Sequence, residues 1–125
     1  MGDHPSVGEK AQSYIDEVKS IDGIIACALV SQDGFVMGKY FRDDGHAPSL
    51  FAAMSATILA SAEAAASAIH ISSPSSVIVT TAEAAILVVY AGSEQLITAV
   101  VEKSADISAI CEQIAAIAAR FGEDM

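Results

Sequence analysis

Three apolar runs follow one another with almost nothing between them: Ser76 to Thr81, Ala84 to Tyr90 and Gln95 to Val101, separated by Ala82-Glu83 and by Ala91-Gly92-Ser93-Glu94. Their Val, Ile and Leu content suits a pleated strand. A parallel crossover needs a dozen or more residues, so connections this short dictate antiparallel pairing. The middle run carries Ile86-Leu87-Val88-Val89, apolar on both faces of a strand. A sheet built on it must be covered by helices on both sides.

The remaining segments supply that cover and complete the sheet. Val7, Ala11, Tyr14, Ile15 and Val18 recur at helical spacing and predict an amphipathic helix from Ser6 to Ser20, ended by Asp22-Gly23. Ile24 to Val30 is a continuous apolar strand, Asp33-Gly34 is a hairpin signal, and Phe35 to Tyr40 returns as a second strand. Pro48 opens a long helix reaching to about His70, which Ser72-Ser73-Pro74-Ser75 breaks. Ser104 or Asp106 caps a last helix with Ile107, Ile110, Ile114, Ile117 and Phe121 along one face. The order α-β-β-α-β-β-β-α places the chain in the α+β class. No linker or repeat divides it, so residues 1–125 read as one domain with a core from about 7 to 121.

A domain of this size buries roughly two thirds of the surface its unfolded chain exposes and needs no metal or disulfide to hold it. Cys27 and Cys111 lie in apolar runs and read as small core side chains in a reducing, cytoplasmic setting. Six basic against sixteen acidic residues give a formal net charge of −10. That is the wrong sign for a nucleic-acid backbone or an anionic membrane. Lys10, Lys19, Lys39, Arg42, Lys103 and Arg120 are scattered and form no patch. The start, Met1 to Ser6, carries no basic and apolar leader. Gly2 with Ser6 fits the loose myristoylation pattern, but Asp3 and the lack of a polybasic segment argue against it.

Catalytic chemistry finds little to work with. His4, His46 and His70 fall in a tail, a loop and a helix end, without metal-ligand spacing. Asp43 and Asp44 read as a solvated turn, and no glycine-rich loop leads into Lys and Ser or Thr. No nucleophile, base and orienting group converge. The expectation is therefore a protein that is not an enzyme, with no catalytic residue, no metal and no cofactor.

The segment from Ala47 to His70 is more informative. On a helical wheel, large side chains (Leu50, Phe51, Met54, Ile58, with Ala62, Ala65 and Ile69) share one face, expected to dock on the sheet. Ser49, Ala52, Ala53, Ala56, Ala60, Glu63, Ala64 and Ser67 share the other, and Glu63 is the segment's only charge. A solvated helix back normally carries Lys, Glu and Arg. Small side chains in their place invite another helix. A membrane span fits less well, since Ala and Ser dominate and Glu63 sits inside.

The run from Ile21-Asp22-Gly23-Ile24-Ile25 through Leu29-Val30-Ser31-Gln32-Asp33-Gly34 resembles the first hairpin of the roadblock/LC7 family. Ala52-Ala53-Met54-Ser55-Ala56-Thr57-Ile58-Leu59-Ala60-Ser61-Ala62-Glu63 resembles that family's central helix. With the element order, the resemblance covers about Val7 to Phe121, and its prokaryotic, polarity-regulating members are the most similar in kind. It implies a profilin-like, five-stranded antiparallel sheet in order 2-1-5-4-3, with the central helix on one face and the terminal helices on the other. It also implies a two-fold homodimer through central helices and third strands, acting without catalysis to regulate or scaffold a small Ras-like GTPase. On this chain the dimer and partner surface would then comprise Ala52, Ala53, Ala56, Ala60, Glu63 and Ser67 with Val77 and Val79, and Arg42 is a candidate partner contact. The alternatives are an adaptor of the dynein-light-chain kind without a GTPase partner, or a profilin-like module that senses a small molecule.

Overall fold

The meander folds as its spacing requires. In a computed structural model describing residues 6–43 and 45–124, β3 (Ser76–Thr80), β4 (Ala84–Tyr90) and β5 (Gln95–Glu102) pair antiparallel, with Val77 opposite Val88 and Val88 opposite Thr98. β5 also pairs β1 (Ile24–Ser31), and β1 pairs β2 (Val36–Phe41), giving the order β2-β1-β5-β4-β3. The edges are therefore β2 and β3. His4, Gly2, Asp3 and Asp44 lie outside the described residues.

The three helices are α1 (Val7–Lys19), α2 (Pro48–Ala68) and α3 (Ile107–Asp124). Alternation along the strands makes two separate cores. On one face Cys27, Leu29, Leu87, Ile97 and Val101 pack with Ile15 and Val18 of α1 and Ile114 and Phe121 of α3. On the other, Ala28, Val30, Val88 and Leu96 pack with Ala52 and Leu59 of α2.

Local chemistry sets the element ends. Ser6 and Glu9 form a reciprocal capping box at the start of α1, and Asp106, rather than Ser104, caps α3 by accepting from the Ala109 N–H at 3.1 Å. β2 starts one residue later than expected because Phe35 belongs to the turn. The Gly34 N–H donates to Ser31 O, the Ser31 N–H donates to Phe35 O, and the Phe35 side chain stays exposed. Gly34 sits at φ +92°, and a Cβ there would come 3.2 Å from Ala53 Cα, so the turn rests directly on α2. α2 ends at Ala68, two residues short of His70. His70 instead takes a left-handed φ of 60°, with its N–H on Ser67 O and the Ile71 N–H on Ala66 O, a Schellman closure usually given to glycine.

Candidate interaction surface

The seam of α2 that meets the sheet falls between the two faces expected for the helix, with Ala52 from the expected outward face and half-buried Phe51, Ile58 and Ala62 from the expected docking face on either side of it. Ala52 is 0% exposed, and with Ser55, Leu59 and Ala66 it forms the buried seam of the helix, while Ala56 and Glu63 are half-buried beside it. Leu50 and Met54, expected to dock, are 62% and 49% exposed. The size rule fails here for a physical reason. The sheet beneath is already filled by Val30, Val88 and Leu96, so small side chains let α2 approach closely, and the Ser55 hydroxyl bonds the buried Thr98 hydroxyl at 2.9 Å. Ala52 therefore cannot belong to an outward surface, and Ala56 and Glu63 belong to it only by their edges.

At about 100° per residue, the positions opposite the buried seam are Leu50, Met54, Thr57, Ser61, Ala64 and Ala68. All are exposed, and none is charged. Ala60 and Ser67 are exposed on one flank of this stripe, and Ala53 is half-buried on the same flank. By length and apolarity alone α2 would pass for a membrane span, yet its seam is laid along the sheet. Val77 and Val79 lie on the α2 side of edge strand β3, half-buried, and Ile78 on the opposite side is 47% exposed. The structure thus brings the outer α2 stripe and the β3 edge onto the chain's surface, keeping Ala60, Ala64 and Ser67 of the set the wheel selects and adding Leu50, Met54, Thr57, Ser61 and Ala68.

Beside the seam, between α2 and the β4–β5 turn, lies a cleft of about 250 Å³ whose lining includes Asp33, Leu59, Glu63, Tyr90 and Glu94. The Tyr90 hydroxyl oxygen is buried in it without a hydrogen-bond partner. Burial first, and the nearby Glu63 carboxylate second, push its pKa up to about 12. Glu63 is the charged group that acts on the Tyr90 hydroxyl in this cleft. Sequence reasoning missed this pair because no local pattern links a mid-helix glutamate to a strand end.

The other candidate residues are accounted for individually. Arg42 follows β2, donates from Nη1 to Glu102 Oε1 at 2.8 Å, and lies 4.0 Å from Asp43. The Glu102 carboxylate holds its pKa above the ordinary arginine value. His46 is exposed and stacks at a tilt on Phe41, with ring centroids 5.7 Å apart. Cys27 is buried, and burial raises its thiol pKa to about 12, while Cys111 is half-buried. No group of three or more His, Cys, Asp or Glu side chains among the described residues is arranged to hold a metal ion.

The roadblock/LC7 domain matches residues 10–102, which takes in every strand and the central helix. The chain belongs to the Roadblock/LC7 family. Solved structures agree with this Roadblock/LC7 assignment at the level of fold. MglB of Myxococcus xanthus superposes with a TM-score of 0.87 at 11% identity, covering 99% of this chain and 93% of that one. The gliding protein MglB of Thermus thermophilus gives 0.79 at 18% identity, covering 98% and 95%. Profilin II of Acanthamoeba castellanii gives 0.64 at 14% identity, covering 92% and 99%, which makes this Roadblock/LC7 domain profilin-like as well. Curated proteins contain no match to the sequence.

Proposed function

We propose that this Roadblock/LC7 domain is a cytoplasmic, non-catalytic homodimer that binds a small Ras-like GTPase and regulates or scaffolds it. The observation that carries this reading is the outer stripe of α2. Its Leu50 and Met54 are more than two fifths exposed and no charge interrupts it, an arrangement that costs solubility unless a second helix covers it. Two copies related by a two-fold axis would cover it with the same stripe twice.

Such a dimer presents one composite surface to an asymmetric partner centred on the axis. Its charge, twice the −10 of each chain, favours a basic or mixed partner face and speeds encounter at low salt. Arg42 is held by Glu102, so it is a poor candidate for insertion into a GTPase site. Any stimulation of hydrolysis would then come from repositioning groups the GTPase already owns.

The test is pull-down and GTP turnover with each small GTPase of the same organism, in both nucleotide states. Binding is expected for one of them, and Arg42→Ala is expected to retain most of any stimulation. If none binds, the GTPase reading fails and the chain is an adaptor for another protein.

A further inference from the structure

The two edges of the sheet are finished differently. The Arg42 N–H donates to Ile25 O, and in an antiparallel ladder hydrogen-bonded pairs alternate with non-bonded ones. Counting from that pair, Tyr40 bonds across to Cys27, and the N–H and C=O of Lys39 point away from β1, into the open edge. The side chain of Gln12 meets both. Its Nε2 donates to Lys39 O at 3.1 Å, and its Oε1 accepts from the Lys39 N–H at 3.0 Å. The same Nε2 donates to Asp16 Oδ1 at 3.1 Å, which fixes the amide's orientation.

A primary carboxamide bonding one residue's N–H and C=O together reproduces what the backbone of an added strand would offer there. α1 can bring it so close because residue 38 is glycine. A Cβ on Gly38 would lie 3.1 Å from Ala11 C and from Gln12 N. One residue further, the β1–β2 register shifts between Leu29 and Val30, leaving Met37 as a bulge that disrupts the edge again. β3 has neither device. The Thr81 N–H on Ala84 O and the Tyr90 N–H on Ser75 O set its alternation, so Ser76, Ile78 and Thr80 direct their backbone groups outward. Among the described residues no side chain bonds them.

We infer that the Gln12 carboxamide is an edge guard that blocks strand addition at β2 and so limits self-association of this chain to its other surfaces. An exposed strand edge is a template for another chain, and a chain with two open edges can propagate, whereas one with a single open edge closes on itself. The occupant excluded at β2 is a second copy of this protein, whose own β2 edge carries the complementary row. This inference stands apart from the proposed GTPase binding, and it holds whatever mass the unaltered chain adopts, because each variant is read against that mass.

The test uses sedimentation velocity from micromolar to hundreds of micromolar on the full chain, on Gln12→Ala, and on Gln12→Ala combined with Lys39→Pro. Proline at position 39 removes the outward N–H without touching the β1 ladder. Gln12→Ala is expected to keep its native circular dichroism and to form species heavier than the unaltered chain, increasing with concentration, and the double variant to return to the unaltered mass. Gln12→Ala at the unaltered mass, loss of its fold, or a double variant as heavy as the single would each overturn the inference. Hydrogen exchange supplies a second readout in dilute solution. The Lys39 amide of the unaltered chain should exchange at least about tenfold more slowly than the outward Phe41 amide of the same strand, and Gln12→Ala should erase the difference. Equal rates in the unaltered chain would mean that the guard does not form.

Discussion

A single side chain shows how placement decides chemistry. Cys27 reads in the sequence as a core residue, and the structure puts it at 0% exposure beneath α1, its Sγ 3.9 Å from Ile15 O. Burial raises its pKa from 9.0 to about 12. Below pH 9 the thiol is neutral in both states and stability is unaffected. As pH rises from about 9 to 12 the unfolded chain ionises and the folded one does not, so stability falls, with a limiting slope of about 1.4 kcal/mol per pH unit. Cys27→Ala should cost about 1–2 kcal/mol at neutral pH through the cavity it leaves. The deficit should shrink between pH 9 and 10.5 as this slope disappears from the variant. Thermal melts of both proteins across that range would show it, and parallel curves would contradict it. His70 is the opposite case. Nothing in its neighbours announces a left-handed residue, because the geometry is imposed by the end of α2 rather than by histidine's own preference.

For the elements, the sequence was legible wherever a period and a breaker coincided. β4 runs from Ala84 to Tyr90 as its continuous apolar run and flanking turns imply, and Ile110, Ile114, Ile117 and Phe121 of α3 are buried as their spacing implies. α2 was legible in extent but not in rotation. Its wheel has large residues on one side and small ones on the other, and either can face a sheet: large ones fill space, small ones permit close approach. The choice was made by residues far along the chain, Thr98 above all, whose hydroxyl needs a partner under the helix and finds Ser55. Ser55→Ala should orphan the Thr98 hydroxyl and cost about 1–3 kcal/mol, as should Thr98→Val for Ser55. The double variant should cost less than the sum of the singles, by at least about 0.5 kcal/mol in a double-mutant cycle from urea unfolding. Additive losses would mean that the seam does not depend on this bond. Gln12 was likewise unreadable, since an amide on a solvent-facing helix position carries no sign of the strand edge it meets.

At the scale of the whole molecule, family and fold are those the hairpin and central helix resemble, a five-stranded sheet covered by helices on both faces. What the structure changes is the address of the surface. Lysine at Ala56, half-buried against the sheet, would lever α2 off its seat rather than probe an interface. Met54 lies on the outer stripe, and Met54→Lys adds only a solvated charge to the free chain. In a dimer joined through that stripe the same charge would face its own copy across the two-fold axis, and repulsion with desolvation would cost several kcal/mol of association. Light scattering coupled to size exclusion at tens of micromolar is the direct test of self-association through α2. Twice the 12.8 kDa chain mass is expected for the unaltered protein and a folded single chain for Met54→Lys. An unaltered protein that is monomeric at that concentration, or a Met54→Lys variant that keeps the doubled mass, would contradict it.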